Sequence, residues 1–145
     1  MISASRDKTL KVWNWQTGEE LRTLTGHSSW VNKLTLIPDG QYVISGSLDT
    51  TLKVWNWQTG EELRTLTGHS DWVHALALTP DDKYVISGSR DNTLKVWNWQ
   101  TGEVIASFVG DGAISCCAVA PDGVRVVAGD GSGRVHFLRL QGTRE

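Results

Sequence analysis

The stretch Thr9–Ser28, TLKVWNWQTGEELRTLTGHS, returns letter for letter at Thr51–Ser70, and its first half returns at Thr93–Glu103. Trp13, Trp55 and Trp97 are spaced 42 apart, as are Asp7, Asp49 and Asp91, and Gly26, Gly68 and Gly110. His27 and His69 keep the same register, but the next place holds Asp111. One residue then drops out, so that Pro80 and Pro121, like Gly88 and Gly129, lie 41 apart. A fixed period of this length means stacked copies of one supersecondary unit, because one unit alone cannot bury its apolar faces.

Within a period the pattern reads as strands. WVNKLTLI and WVHALAL are apolar and β-branched, and each runs into a Pro-Asp turn. YVISGS follows twice, with VRVVAG in its place near the end, and then TLKVW, a QTG turn and EELRTLT. Four short strands separated by Gly, Asn, Asp and Pro signal an all-β repeat, and helical periodicity is absent. Four-stranded units that must stack on their neighbours are the logic of a β-propeller.

The residues fall into a partial unit at 1–25, full units at 26–67 and 68–109, and a divergent terminal unit at 110–145. With strands a to d counted from the inside outwards, the order is b-c-d, twice a-b-c-d, then a-b-c. That is about three and a half blades, where closed rings have about 4–8. The flanking blades therefore expose apolar faces, so either other copies complete the ring or the chain is a piece of a longer array; the expectation is a head-to-tail homo-oligomer, with a dimer favoured. Two chains would give eight blades. Exchange of the first d strand would give three blades per chain, hence six or nine.

GHSSWVNKLTLIPDGQYVISGSLDTTLKVWN, with its Gly-His, Pro-Asp-Gly, Ser-Gly-Ser-x-Asp and Lys-Val-Trp steps, resembles a blade of the WD-repeat family. The likeness covers essentially the whole chain. Asn14, Asn56 and Asn98 stand where that family usually has Asp. The near-identical, Trp-rich units are similar to the repetitive propellers of bacteria, cyanobacteria in particular, where such arrays often form the sensor end of signalling proteins.

The resemblance implies a buried hydrogen-bonded chain of His27, Ser45, Asp49 and Trp55, repeated at His69, Ser87, Asp91 and Trp97, and without its His at Ser3, Asp7 and Trp13. The terminal unit has Asp111, Ala128, Ser132 and Leu138 at these places. The resemblance also implies docking of partners on the rim before strand a and between strands b and c. The matching positions are Trp30, Asn32, Trp72 and His74, with Arg6, Leu48 and Arg90 before each Asp. Trp15, Trp57 and Trp99 are expected to cover the outer part of each blade.

Other chemistry finds little support. A Ser-His-Asp set recurring in both full units and a third time without its His, with no Gly-x-Ser-x-Gly elbow, reads as architecture rather than as a nucleophile. GDGSGR is Gly-rich but has no following lysine of the phosphate-loop type, so it reads as a hairpin loop, and His136 reads as a strand residue without metal partners. Cys116 and Cys117 are neighbours with no CxxC or Cys/His cluster, so two free thiols are expected, and no metal or cofactor. With 14 Lys plus Arg against 16 Asp plus Glu, no basic face for nucleic acid is expected. No signal peptide or membrane helix is legible, so the expected place is the cytoplasm. The functional expectation is a non-catalytic protein- or peptide-binding scaffold or sensor, with a structural propeller fragment lacking a dedicated ligand as the alternative.

Overall fold

A computed structural model describes residues 1–141 of the 145-residue chain, so positions 142–145 of the terminal unit lie outside the described residues. The fold is all-β, with fourteen strands in four antiparallel sheets and no helix among the described residues. The first sheet comprises β1 (Ile2–Ala4), β2 (Thr9–Trp13) and β3 (Glu20–Thr25). The second is β4 (Val31–Leu36), β5 (Tyr42–Ser47), β6 (Leu52–Asn56) and β7 (Glu61–Leu66). The third is β8 (Val73–Leu78), β9 (Tyr84–Ser89), β10 (Thr93–Asn98) and β11 (Glu103–Val109). The fourth is β12 (Ile114–Val119), β13 (Arg125–Asp130) and β14 (Val135–Arg139). Strands pair in chain order within each sheet, as up-and-down meanders, and the sheets stack as propeller blades.

Turn chemistry fixes the hairpins. Asn14, Asn56 and Asn98 each accept, through Oδ1, the backbone N–H groups two and three residues on, at 3.0–3.2 Å. Only the side-chain oxygen is used, which Asp would supply equally, and this accounts for Asn at a position where Asp is usual. The loops between the second and third strands turn through a positive φ at Lys8, Thr50 and Asn92, and at Gly133 in the last sheet.

The core lies between sheets. Ile44, Leu52, Val54 and Leu66 of the second sheet pack against Val73, Val85 and Trp97 of the third. Ile86, Leu94 and Val96 of the third meet Ile114, Val126 and Ala128 of the fourth. Glycine permits the close approach: a Cβ at Gly46 would come within 2.8 Å of Val73 Cγ1, and one at Gly88 within 2.5 Å of Ile114 Cγ2. Because both faces of the central strands are covered, even Lys53 is buried, its ammonium held by Glu62 at 2.6 Å and the Thr65 hydroxyl at 2.9 Å. The alternation in TLKVW therefore does not separate a wet face from a dry one.

The three outer tryptophans do not share one role. Trp99 is buried, donates to the Asp82 carbonyl at 2.7 Å and lies 5.7 Å from Tyr42 of the preceding sheet. Trp57 is half-buried and donates to the Gly40 carbonyl at 2.9 Å. Trp15 is 74% exposed, and among the described residues no sheet packs over it as the second does over Trp99. At the opposite flank Val127, Val135 and Phe137 occupy the places of Ile86, Leu94 and Val96, yet face solvent, Phe137 at 81% exposure.

Candidate functional site

The repeated polar residues of the second and third sheets meet as two directed chains. Trp55 Nε1–H donates to Ser45 Oγ at 2.9 Å, Ser45 Oγ lies 2.6 Å from His27 Nε2, and His27 Nδ1 lies 2.7 Å from Asp49 Oδ2. The third sheet repeats this with Trp97, Ser87, His69 and Asp91 at 2.8, 2.6 and 2.9 Å. Indole can only donate and carboxylate can only accept, so one arrangement satisfies every atom. The Ser hydroxyl gives its proton to Nε2, and a neutral imidazole gives its Nδ1 proton to Asp. A second proton on the His69 imidazole would leave the Ser87 hydroxyl without that acceptor, whereas Ser45 Oγ also has the Lys53 carbonyl at 3.5 Å. Burial accordingly holds the His69 pKa below its ordinary value, against the attraction of Asp91.

The carboxylates are held ionised. Burial opposes the charge on Asp91, but hydrogen bonds from Thr93, the Ser70 backbone and His69 outweigh it and bring its pKa to about 2. Burial likewise opposes the charge on Asp49, and His27 and Thr51 hold it well below the usual carboxylate range. Thr51 and Thr93, which sequence reasoning did not single out, each give Oδ1 both a hydroxyl and a backbone donor. Ser45 and Ser87 are fully buried beneath these partners, so neither presents an oxygen that a substrate can reach.

The flanking sheets depart from this pattern. In the first, Trp13 donates to Ser3 Oγ at 2.9 Å and Thr9 N–H to Asp7 Oδ1 at 3.0 Å, with no His between them. In the fourth, Asp111, Ala128, Ser132 and Leu138 do not form the chain. A transposed pair replaces it: buried Asp130, in the register place of Ser89, accepts from His136 Nε2 at 2.7 Å, in the place of Lys95. His136 is on a strand as expected, but it is not isolated from other metal-ligand types. Its ring nitrogen and oxygens of Asp130 and Asp111 lie within 4.8 Å of one another. Asp111 is at the same time paired with Arg134 at 2.8 Å. Comparison of the units hid this pair, because its two members moved to different register positions. The only signal was an Asp and a His on facing arms of one hairpin.

Of the seven rim positions, the structure gathers Arg6, Trp30, Asn32, Leu48, Trp72 and His74 around a cleft of about 230 Å³, floored by Val31. Arg90 is not in the cleft lining and lies over the Trp72 ring. Trp30 and Trp72 remain 44% and 39% exposed. Each indole is roofed by a guanidinium at 4.5 Å, Arg6 over Trp30 from the preceding sheet and Arg90 over Trp72 from its own. The loops are braced: Leu48 N–H donates to the Trp30 carbonyl at 2.9 Å, Arg90 N–H to the Trp72 carbonyl at 2.8 Å, and Asn32 Nδ2 to the Val73 carbonyl at 3.3 Å. His74 meets Trp72 edge-on at 6.1 Å.

The profile of the WD40 family (WD domain, G-beta repeat) matches residues 18–56, 60–98 and 102–137. The chain belongs to the WD40 family. Curated relatives include nuclear distribution protein PAC1 of Arthroderma otae, 48% identical over 44 residues, or 30% of this chain and 10% of that protein. Lissencephaly-1 homolog 1 of Paramecium tetraurelia is 46% identical over 44 residues, 30% of this chain and 11% of that protein. The Caenorhabditis briggsae Lissencephaly-1 homolog is 43% identical over 44 residues, again 30% and 11%. The matched stretch is thus about one repeat, a tenth of each relative's length. These relatives are from a fungus, a ciliate and a nematode, so they lend no weight to a bacterial type of repeat. None of the described segments is a helix long and apolar enough to cross a membrane, which says nothing about membrane-spanning strands.

Proposed function

We propose that this WD40 chain is a non-catalytic protein-interaction module whose docking surface is the rim row of Arg6, Trp30, Leu48, Trp72 and Arg90, with Asn32 and His74 beneath. The observation that carries the reading is the half-exposed state of two indoles beside a cleft, in loops braced by the Leu48, Arg90 and Asn32 hydrogen bonds. Trp and Arg dominate binding energy where they occur at interfaces, and a braced loop spends little ordering entropy on binding. The cleft is small and shallow, which suits an extended peptide or loop of a partner protein better than an enclosed small molecule. Trp30→Ala combined with Trp72→Ala should abolish capture of partners from a cell extract while leaving the far-ultraviolet spectrum and melting temperature intact. An unchanged set of captured proteins would overturn the rim assignment and favour a propeller without a dedicated ligand.

The finer reading is a homo-oligomer, with a dimer favoured, in the cytoplasm. It is supported by the chemistry of the open flanks. Val127, Val135 and Phe137 sit where Ile86, Leu94 and Val96 bury against the next sheet, and Trp15 sits where Trp99 covers the preceding one. Apolar surface of this kind gains by association with a second copy, head to tail. Light scattering at micromolar concentration should return a multiple of the chain mass, and the mass of one chain would refute it. The exposed free thiol of Cys116 fits a reducing compartment.

A further inference from the structure

We propose that Asp111, Asp130 and His136 form a site for one divalent cation of the zinc class, which ties the loop before β12 to the β13–β14 hairpin. The site stands apart from the rim and is independent of it. In the second and third sheets the same tie is an imidazole. His27 bridges Ser45 and Asp49, and His69 bridges Ser87 and Asp91. In the fourth sheet Asp111 stands in the place of the bridging His, and Ala128 in that of the Ser. A carboxylate has no proton to donate, so Asp111 cannot bridge to a second carboxylate unaided. A cation between them restores the bridge.

The donors come from three separate elements. Asp111 is on the loop, Asp130 ends β13, and His136 is on β14. Asp130 Oδ2, His136 Nε2 and an Asp111 oxygen lie within 4.8 Å of one another. Two of the three are held in orientation. Asp130 is buried, and its Oδ1 accepts the Ser132 N–H at 2.9 Å, the Ser132 hydroxyl and the Arg134 N–H at 3.2 Å, so Oδ2 is turned towards the imidazole. The His136 ring packs against Phe108 of the third sheet, with centroids 5.1 Å apart. Supports of this kind decide whether a set of ligands converges. Gly110 and Gly112 bring the backbone on either side of Asp111 onto the hairpin. A Cβ at Gly110 would lie 3.6 Å from Asp130 Oδ2, and one at Gly112 would lie 3.1 Å from Ser132 N.

The donor set names the ion. An imidazole with two carboxylates suits zinc and its first-row neighbours, whereas calcium and magnesium take oxygen alone. Three protein ligands leave a further position to water. Nε2 now donates to Asp130 Oδ2 at 2.7 Å. Zinc bonds of about 2.0–2.2 Å set neighbouring ligands roughly 3–3.5 Å apart, so a small opening lets the ion replace that proton, with the imidazole proton carried on Nδ1. The competitor is Arg134, 2.8 Å from Asp111 Oδ2. Its side chain is 68% exposed, and an ion pair so exposed yields readily.

The test titrates zinc chloride into the metal-free full chain and follows it by calorimetry and by melting temperature. One saturable site per chain is expected, with a melting temperature that rises as zinc is added. Asp111→Ala removes an exposed ligand without touching the buried pair, and should weaken binding about tenfold or more. His136→Ala should do the same. Arg134→Ala, which frees Asp111, should tighten binding about threefold, and Cys116→Ser should leave it unchanged. Absence of saturable binding below about 1 mM zinc, an affinity that Asp111→Ala leaves unchanged, or loss of binding in Cys116→Ser would each overturn the proposal.

Discussion

His69→Ala tests whether the buried polar chain holds the third sheet together. The imidazole bridges Ser87 at 2.6 Å and Asp91 at 2.9 Å, and its ring lies 5.9 Å from that of Trp97. Deleting it removes one neutral hydrogen bond, about 1 kcal/mol, and one to a carboxylate, about 1.5–3 kcal/mol. It also leaves a hole beside the indole. Two features limit the loss. Asp91 keeps the Ser70 and Thr93 donors, and Ser87 keeps the Trp97 N–H, although its own O–H loses its acceptor. The net destabilisation is then about 3 kcal/mol, which at this chain length lowers the melting temperature by roughly 10 °C. Thermal unfolding followed by circular dichroism or calorimetry measures it. The repeat supplies an internal control, because His27 makes the same bonds at 2.7 and 2.6 Å, so His27→Ala should fall within about 0.5 kcal/mol of His69→Ala. A shift below about 2 °C in either variant would refute the reasoning.

Thr50 has a φ of 79°, a conformation that suits Gly or Asn and strains a β-branched residue, and the third sheet has Asn92 at the equivalent place with a φ of 72°. Thr50→Asn is therefore expected to raise stability by about 1 kcal/mol in urea unfolding, and a destabilised variant would contradict the strain. Acid should act in two stages. The folded His69 pKa lies below its ordinary 6.5, so its contribution is complete above that value and is lost as pH falls through the folded pKa. The folded Asp91 pKa is about 2 against an ordinary 3.8, so its contribution is lost between those values. Melting temperature measured from neutral pH downward should begin to fall below about 6.5 and steepen below about 4. A flat profile down to about pH 4 would show that the buried imidazole is not linked to folding.

The repeat made the strands legible because the period, the Gly and Pro-Asp turns and the β-branched runs all point to the same element at the same place. The count of fourteen strands, and the three-stranded first and last sheets, followed from where Ile2–Ala4 and Val135–Arg139 fall in the period. What identical letters cannot reveal is the neighbour. Trp15, Trp57 and Trp99 occupy one register and range from exposed to buried, because among the described residues only the later two have a preceding sheet to lie on. Lys11 and Lys53 both find a Glu, at Glu20 and Glu62, whereas Lys95 faces Val104's position and turns to Ser107 instead. The β-bulge between Val and Trp in the pairings of β2 with β3, β6 with β7 and β10 with β11 left no mark that alternation could expose. The Asp130–His136 pair was missed because it conserves chemistry while abandoning register.

A surface copied from unit to unit should distinguish its parts poorly, and here the few departures from copying supply the distinction. Arg6 reaches from the first sheet over Trp30 of the second. The corresponding residue of the second sheet would reach over Trp72 of the third, but it is Leu48, whose short apolar side chain lines the cleft and leaves the Trp72 ring to Arg90. The row therefore runs from cation through indole, leucine and indole to cation. Asp71, 3.9 Å from Arg90, stands where the preceding unit has Ser29, so the two cationic ends differ in charge as well. An asymmetric partner can be oriented along such a row although the blades beneath it are nearly the same. Two departures from the repeat, Leu48 for Arg and Asp71 for Ser, turn a periodic surface into a row with a middle and two unlike ends.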